Sequence, residues 1–278
     1  MLGIFFKELA KAPVAAKIGV TVITINVLAA VFAPVIAPYS ETEIVGQAWE
    51  EASEAMLLGT DQIGRDMWTR LLYGARNTIS IAFITTVLTF GLGMAGGFLA
   101  ATLGGWVDMV FSRIVDIMMA IPTLIFALML LSVLGTSVPV LIMVIAFLDS
   151  TRVYRLARAV AMDVEVMDYV EVARLRGEGT FYIMRHEILP NTLAPLVAEF
   201  GLRFCFVFLF ISSLSFLGLG IQPPLADWGS MVRENASLIT YGVLTPLLPA
   251  ASIAALTVGV NLVVDWFLHK TAGIRDEV

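Results

Sequence analysis

The sequence predicts an all-α membrane protein with six transmembrane helices, and three observations lead to this fold class. Of its 278 residues, 59% are hydrophobic and only 14% are charged, whereas soluble domains carry about 45–50% apolar and about 25% charged residues. The mean hydropathy is +0.89. The apolar runs suit helices, which need about 20 residues to cross a bilayer, and alternating strands of about ten residues are absent.

The first span is predicted at residues 18–37, after three lysine residues. A secretory signal peptide also begins in this way, but the apolar run exceeds the usual core of about 7–15 residues. Pro38 also follows the only suitable cleavage position, so we predict an uncleaved span. An acidic outer loop follows at residues 38–76, and residues 66–73 within it are expected to form a short amphipathic helix on the membrane surface.

The second and third spans are predicted at residues 77–101 and 113–134. Gly93 and Gly97 lie on one face of the second span, and small residues at this spacing allow helices to approach closely in lipid. Pro122 lies inside the third span. Because proline lacks a backbone N–H, it is expected to kink this helix.

The fourth span begins at Val138, although Asp149 interrupts its apolar run after eleven residues. Arg152, Arg155 and Arg158 follow on one broad helical face, where their side chains are expected to reach the lipid headgroups. Solvation at a helix end, or pairing with these arginines, is the expected role of Asp149.

The fifth and sixth spans are predicted at residues 192–220 and 242–268, with an outer loop at 221–240 between them. With the amino terminus inside, eleven Lys and Arg residues fall in cytoplasmic segments and four in outer loops. This asymmetry agrees with the positive-inside rule. The cytoplasmic segments are 1–17, 104–112, 152–191 and 269–278.

A long polar segment, residues 163–191, lies between the fourth and fifth spans. Its first half carries an apolar stripe at helical spacing, formed by Val166, Tyr169, Val170 and Ala173. Gly177 is a plausible helix end, and a second short helix is predicted at 181–187, ending before Pro190. We interpret the segment as a helix–turn–helix that projects from the membrane; a plain solvated linker is the alternative.

Glu171, Val172 and Ala173 are followed by Gly177 and then by the run from Glu187 to Pro190. This pattern resembles the EAA loop of permease subunits of ATP-binding-cassette (ABC) importers, with Val172 in place of the usual second Ala and Glu187 at a usually apolar position. Two further stretches resemble the C-type permeases of the dipeptide/oligopeptide/nickel subfamily. These stretches are residues 59–76 and 214–231.

The resemblance implies that residues 163–191 form a coupling helix in a groove of a cytoplasmic ATPase. It also implies a homologous permease, two ATPase subunits and a periplasmic or lipid-anchored solute-binding protein as partners. The membrane would be the cytoplasmic (inner) membrane of a bacterium or archaeon. The residues expected to couple the ATPase to the permease are Glu171, Ala173, Gly177, Phe181, Leu189 and Pro190.

Glu199 and Arg203 form a charged pair within the predicted fifth span, one helical turn apart. An Arg or Asp at the bilayer centre costs about 2.5–3.5 kcal/mol on insertion scales, so such groups face a partner or a water-filled cavity. Two interpretations remain open: a structural pair, or a polar lining of the translocation path.

Several chemistries are excluded by the sequence. None of the four lysines follows a glycine, so a phosphate-binding GxxxxGK[ST] loop is absent, and any ATPase activity is expected in separate subunits. The chain shows no catalytic pattern, and we predict neither enzyme activity nor a cofactor. One cysteine and two distant histidines predict no metal site. The net charge of −6 and the lack of a basic patch argue against nucleic acid.

These observations predict one permease subunit of an ATP-driven importer, embedded in membrane lipid, that takes up peptides or related small solutes. A secondary transporter driven by an ion gradient is the alternative. The solute stays open among dipeptides, oligopeptides, opines, glutathione-like compounds and nickel chelates. The predicted divisions are an amino-terminal span with its outer loop (1–75), a core transmembrane domain (76–270) and a cytoplasmic tail (271–278).

Overall fold

The computed structural model describes residues 9–243 and 245–271. Within these ranges the chain is helical and has no β-strand, so the predicted all-α class is confirmed. The helices, numbered in chain order, are α1 (Val14–Ile36), α2 (Met67–Leu103), α3 (Gly105–Ala120), α4 (Thr123–Leu134), α5 (Val138–Glu165), α6 (Asp168–Leu175), α7 (Leu189–Phe216), α8 (Trp228–Asn235) and α9 (Leu247–Thr271). Shorter turns are Thr180–Tyr182, the π-helix Ile183–Ile188 and the 3₁₀-helix Ala236–Tyr241.

Four segments of the described chain are long and apolar enough to cross a membrane. Helices α3 and α4 pass the same test only as a pair bent by 91°, which makes up to five spans by length and composition. Helix α5 has 28 residues but carries several charges in its second half. The predicted total of six spans therefore stays a prediction. The four segments are Val14–Ile36, Met67–Leu103, Thr180–Phe216 and Leu247–Lys270.

Pro122 separates α3 from α4, at the position where the sequence predicts a kink. It precedes the first residue of α4, where its missing N–H costs no intrahelical hydrogen bond. The backbone of Ile121 is extended. The chain therefore leaves the helical conformation between α3 and α4 and bends more sharply than a kinked helix does. Most of the segment 104–112, which is predicted to lie between two spans, belongs to α3, because this helix begins at Gly105, directly after Gly104 with its φ of 59°. The cytoplasmic location of this segment stays a prediction.

Helix α2 begins earlier than the sequence predicts. The Asp66 carboxylate accepts a hydrogen bond of 2.7 Å from the Thr69 N–H and so caps the helix. The predicted separate surface helix at 66–73 is therefore wrong. These residues form the first turns of a helix that continues without interruption to Leu103.

Helix α8 lies within the predicted outer loop 221–240, and sequence analysis missed it. The Asp227 carboxylate caps it by accepting hydrogen bonds from the N–H groups of Gly229 (2.9 Å) and Ser230 (3.2 Å). Burial raises the pKa of this carboxyl, and its hydrogen bonds with Ser230 and Gly229 oppose the shift. An aspartate before a short amphipathic stretch was the available signal.

Two compact units make up the chain. The first contains the residues up to Phe83, Thr136–Leu141 and those from Phe204 onward; the second contains Ile84–Gly135 and Ile142–Arg203. The three divisions predicted from the sequence stay predictions. Apart from Thr271, the predicted tail 271–278 lies outside the described residues.

In the first unit, four charged side chains join the outer loop to α2 and α8. Asp61 Oδ2 lies 2.7 Å from Arg65 Nε and 3.3 Å from Arg70 Nε. Glu234 Oε2 lies 3.3 Å from Arg65 Nη2 and 3.2 Å from Arg70 Nη2. At most 6% of each side chain is exposed. Two carboxylates and two guanidinium groups therefore compensate each other in a buried ion network.

In the second unit, two glycines bring α2 against the backbone of α5. A Cβ atom on Gly93 would lie 2.6 Å from the Val153 Cβ. A Cβ atom on Gly97 would lie 2.8 Å from both the Tyr154 carbonyl oxygen and the Arg158 nitrogen. The predicted close helix packing at these glycines is confirmed.

Replacing Gly97 by Leu is expected to destabilise the protein by about 1–3 kcal/mol or more, the usual cost of overpacking. The atoms that a new side chain would meet belong to the α5 backbone and cannot move aside alone. Gly91 is the matched control in the same helix, because a Cβ there would meet nothing within 4 Å. Thermal unfolding of the purified protein in detergent measures both; equal unfolding temperatures for Gly97→Leu and Gly91→Leu would contradict the packing.

The three arginines of α5 have carboxylate partners in the second unit, and their contact with lipid headgroups stays a prediction. Arg155 Nη2 lies 2.7 Å from Asp116 Oδ1, and Arg158 contacts the Asp108 carboxylate. Both aspartates belong to α3. Arg152 lies 3.6 Å from Asp149, one turn before it in α5.

Candidate functional site

The polar segment predicted at 163–191 contains the short helix α6. Acidic residues, Asp168 and Glu171, lie in its first turn and Arg174 lies in its last. This distribution is favourable, because a helix carries partial positive charge at its amino end and partial negative charge at its carboxyl end. Val170 and Ala173 are fully buried, so one face of the helix packs against the protein.

The opposite face of the segment presents apolar side chains to the surroundings. The predicted apolar stripe is half wrong, since 80% of Val166 and 41% of Tyr169 are exposed. Val166 precedes the first helical residue, so helical spacing does not apply to it. Val172, Leu175 and Phe181 are 52%, 81% and 72% exposed. Apolar side chains gathered on a polar segment are typical of an interaction surface.

Gly177 ends α6 in a left-handed conformation with φ of +83°, as the sequence predicts. Its N–H donates to the Arg174 carbonyl at 2.9 Å, and the Glu178 N–H donates to the Ala173 carbonyl at 3.2 Å. These two bonds form a Schellman motif, which satisfies carbonyl groups left free at a helix end.

The second half of the segment is continuous with α7. Sequence analysis predicts a helix at 181–187 that ends before Pro190, and that end is wrong. The turn Thr180–Tyr182 passes into the π-helix Ile183–Ile188 and then directly into α7.

The π-helix explains how the chain remains helical through Pro190. A proline ring clashes with the carbonyl four residues earlier in an α-helix, and the wider π turn relieves this clash. Side chains satisfy neighbouring carbonyl groups: Asn191 Nδ2 donates to Glu187 O at 2.6 Å, and Thr192 Oγ1 donates to Ile188 O at 3.0 Å. Such local adjustments make proline tolerable in membrane helices.

A buried apolar cluster attaches this segment to three other helices of the second unit. Burying a full aliphatic side chain stabilises by about 1.5–3 kcal/mol, so a cluster of this size holds the segment firmly. Its buried members are Phe90 and Phe98 of α2, Val153, Ala157, Ala161 and Val164 of α5, Val170 and Ala173 of α6, Ile183 and Ile188 of the π-helix, and Leu196 of α7.

The six residues predicted to couple an ATPase to the permease differ in their surroundings. Glu171 and Phe181 are exposed and available to a partner. Ala173 is fully buried in the apolar cluster, and Leu189 packs against it. Gly177 and Pro190 act on the backbone, as described above. Their role in coupling stays a prediction.

The predicted pair of Glu199 and Arg203 belongs to a larger charged cluster. Arg203 Nε lies 2.7 Å from Glu199 Oε1, and Arg203 Nη1 lies 3.4 Å from Asp149 Oδ1. Arg152 also faces Asp149, so one of the two roles expected for Asp149, pairing with the basic group, is confirmed. The side chain of Asp149 is 2% exposed. Sequence analysis did not foresee the link from Asp149 to Arg203, which joins α5 to α7.

Within the described ranges, no group of three or more His, Cys, Asp and Glu side chains could hold a metal ion. Cys205 is buried with its sulfur 3.7 Å from the Thr257 carbonyl oxygen. His186 stacks on Tyr182 with ring centroids 4.4 Å apart. The expectation that the chain takes no cofactor stays a prediction.

Residues 92–270 match the family described as the binding-protein-dependent transport system inner membrane component. The chain belongs to this family. The matched residues include both the polar segment and the charged cluster. The predicted ABC importer permease is thereby confirmed, as is a multi-pass membrane location, and nothing supports the alternative of an ion-gradient-driven transporter.

Relatives of this transport component are permeases of peptide transport systems. The dipeptide transport system permease protein DppC of Alkalihalophilus pseudofirmus is 34% identical, over 98% of this chain and 87% of the relative. The di/tripeptide permease DppC of Pseudomonas aeruginosa is 34% identical, over 93% and 85%. The dipeptide permease DppC of Escherichia coli is 35% identical, over 94% and 87%.

A solved structure supports the fold of this family member. The crystal structure of an amino acid ABC transporter with histidines matches with a TM-score of 0.54, covering 72% of this chain and 94% of that chain. Its sequence is 18% identical. At this identity the likeness concerns the fold alone.

Proposed function

We propose that this chain is one permease subunit of an ATP-driven importer of dipeptides or related small solutes, which a solute-binding protein delivers. The names of the peptide permeases that it resembles support the solute class. The observation that carries the proposal is α6, which buries Val170 and Ala173 and exposes Val172 and Leu175. A helix held on one face and apolar on the other suits the groove of an ATPase subunit.

The proposed assembly contains a homologous permease, two ATPase subunits and the solute-binding protein, in a bacterial or archaeal cytoplasmic membrane. We place the ATPase activity in separate subunits, since the sequence has no phosphate-binding loop. Six spans are proposed, with α5 as the fourth; pairing of Asp149 with Arg152 and Arg203 lowers the cost of these charges in lipid. The polar segment then lies in the cytoplasm, between the fourth and fifth spans.

In the proposed mechanism, ATP-driven closure of the ATPase subunits displaces α6. The apolar cluster carries this displacement to the ends of α2 and α5 and to the start of α7, because close-packed side chains transmit movement with little compression. The spans then change between inward-facing and outward-facing arrangements.

A photo-crosslinker at Phe181 tests the proposed partner and topology. It is expected to capture an ATPase subunit in the assembled transporter, because 72% of this side chain is exposed. Tyr241, which is 81% exposed and lies in a proposed outer loop, is the matched control and is expected to capture none. Capture from Tyr241 alone would show that the chain has the opposite orientation in the membrane.

The energy source is tested separately, by measuring solute uptake in vesicles that have ATP but no ion gradient. Uptake that depends on ATP supports the proposed importer.

A second proposal concerns the charged cluster, in which Glu199 and Arg203 line the inner part of the translocation path. The supporting observation is that a compensated charge cluster lies within a predicted span, with 20% of the Glu199 side chain and 17% of the Arg203 side chain exposed. A Glu199→Gln variant that assembles normally but transports poorly would support this role. Normal transport by that variant would assign the pair a structural role only.

Arg203→Gln is expected to harm assembly more than Glu199→Gln. Without Arg203, two carboxylates of this cluster, those of Asp149 and Glu199, remain with the single guanidinium of Arg152. Without Glu199, Arg203 keeps its contact with Asp149. Removing one partner of a buried ion pair costs about 3–5 kcal/mol. The yield of assembled transporter measures the effect. Equal yields for the two variants would contradict the pairing of Arg203 with both Asp149 and Glu199.

A further inference from the structure

Arg174 connects α6 to the ends of two other helices of the second unit. Its guanidinium forms an ion pair with Glu165, the last residue of α5. Its Nη2 also donates to the Thr102 carbonyl at 3.4 Å, in the last turn of α2. One side chain therefore joins three helix ends at the base of the polar segment.

Each of these contacts fits the chemistry of arginine. The last four carbonyl groups of a helix have no intrahelical donor, and the carbonyl of Thr102 is one of them. A cation at the negative end of α2 is favourable as well. The Glu165 side chain is only 13% exposed, so its carboxylate depends on a nearby cation. A planar guanidinium offers several donors in fixed directions and serves both groups at once.

The apolar contacts of α6 do not by themselves fix the orientation of this helix. Val170 and Ala173 hold the helix in the cluster, but hydrophobic contact has no preferred direction and permits a helix to rotate or slide. Charge-assisted contacts are directional and fix the orientation of the helix.

We propose that Arg174 is a positioning residue for coupling: it fixes the orientation of α6 relative to the ends of α2 and α5, so that a displacement of α6 moves those helices. This inference rests on the proposed function. Arg176, two residues later, is exposed and has no ion pair among the described residues. Arg176 carries the same charge as Arg174 and therefore serves as the matched control.

The test uses the complete transporter in proteoliposomes and measures solute molecules transported per ATP hydrolysed. Arg174→Gln is expected to retain ATP hydrolysis and to lower this ratio by about fivefold or more, the usual lower bound for coupling between sites. Arg176→Gln is expected to keep the wild-type ratio. A merely structural role would reduce the amount of assembled transporter without changing the ratio per assembled complex.

Two further variants make the result decisive. Glu165→Gln removes the same pair from the other side and is expected to lower the ratio, even if Arg174→Gln fails to assemble. Arg174→Lys keeps the charge and is expected to restore part of the ratio. Wild-type ratios in both Arg174→Gln and Glu165→Gln would overturn the inference while leaving the proposed function intact. A wild-type transporter without ATP-driven uptake would instead overturn the proposed function, and the inference with it.

Discussion

Replacing Arg70 by Met is expected to lower the free energy of unfolding by about 3–5 kcal/mol, the usual cost of removing one partner from a buried ion pair. Only 1% of the Arg70 side chain is exposed, and its guanidinium contacts both Asp61 and Glu234. After the substitution, two buried carboxylates share the guanidinium of Arg65. The network then keeps an uncompensated negative charge in a region of low dielectric constant.

Arg76 provides the control for this experiment. It lies in the same helix but is exposed and has no ion pair among the described residues, so Arg76→Met is expected to change stability by less than about 0.5 kcal/mol. The measurement is the thermal unfolding of the purified transporter in detergent. If the unfolding temperature falls equally in the two variants, the buried ion network around Arg70 does not stabilise the first unit.

Replacing Gly177 by Val is expected to uncouple ATP hydrolysis from transport while the membrane spans stay inserted. The φ of +83° at this residue is unfavourable for a β-branched side chain, by about 1–3 kcal/mol. Relief of this strain changes the turn that follows α6 and moves Phe181 away from its position. The measurement compares solute-stimulated ATP hydrolysis with uptake in proteoliposomes.

Gly179→Val separates the effect of backbone conformation from that of size. A Cβ atom at either glycine meets nothing within 4 Å, so neither substitution creates a clash with neighbouring residues. Gly179 has an extended conformation with φ of −78° and ψ of 162°, which valine adopts readily. Gly179→Val should therefore retain most coupled transport. Normal solute-stimulated ATPase activity in Gly177→Val would count against the coupling role of this turn.

The sequence by itself determined those features that depend on neighbouring residues in the chain. Composition and the length of apolar runs are sufficient for the all-α class, because a bilayer requires every backbone polar group to be bonded within a helix or a closed barrel. The break at Pro122 and the left-handed Gly177 follow from the restricted or unusual backbone geometry of proline and glycine. The family motif also depends on local spacing, and the family that it indicates, the permeases of ABC importers, was confirmed.

Only the tertiary structure decided which groups meet across long stretches of sequence. Arg65 and Arg70 contact Glu234, and Asp149 contacts Arg203. No local pattern in the sequence indicates these partners. The continuity of the polar segment with α7 was likewise hidden, because the rule for residues before proline does not anticipate a π-helix. Periodicity suggested an apolar stripe on α6, but packing decided that Val170 is buried and Tyr169 is exposed. Burial and ion pairing depend on the neighbours that folding supplies, whereas backbone geometry is largely carried by each residue itself.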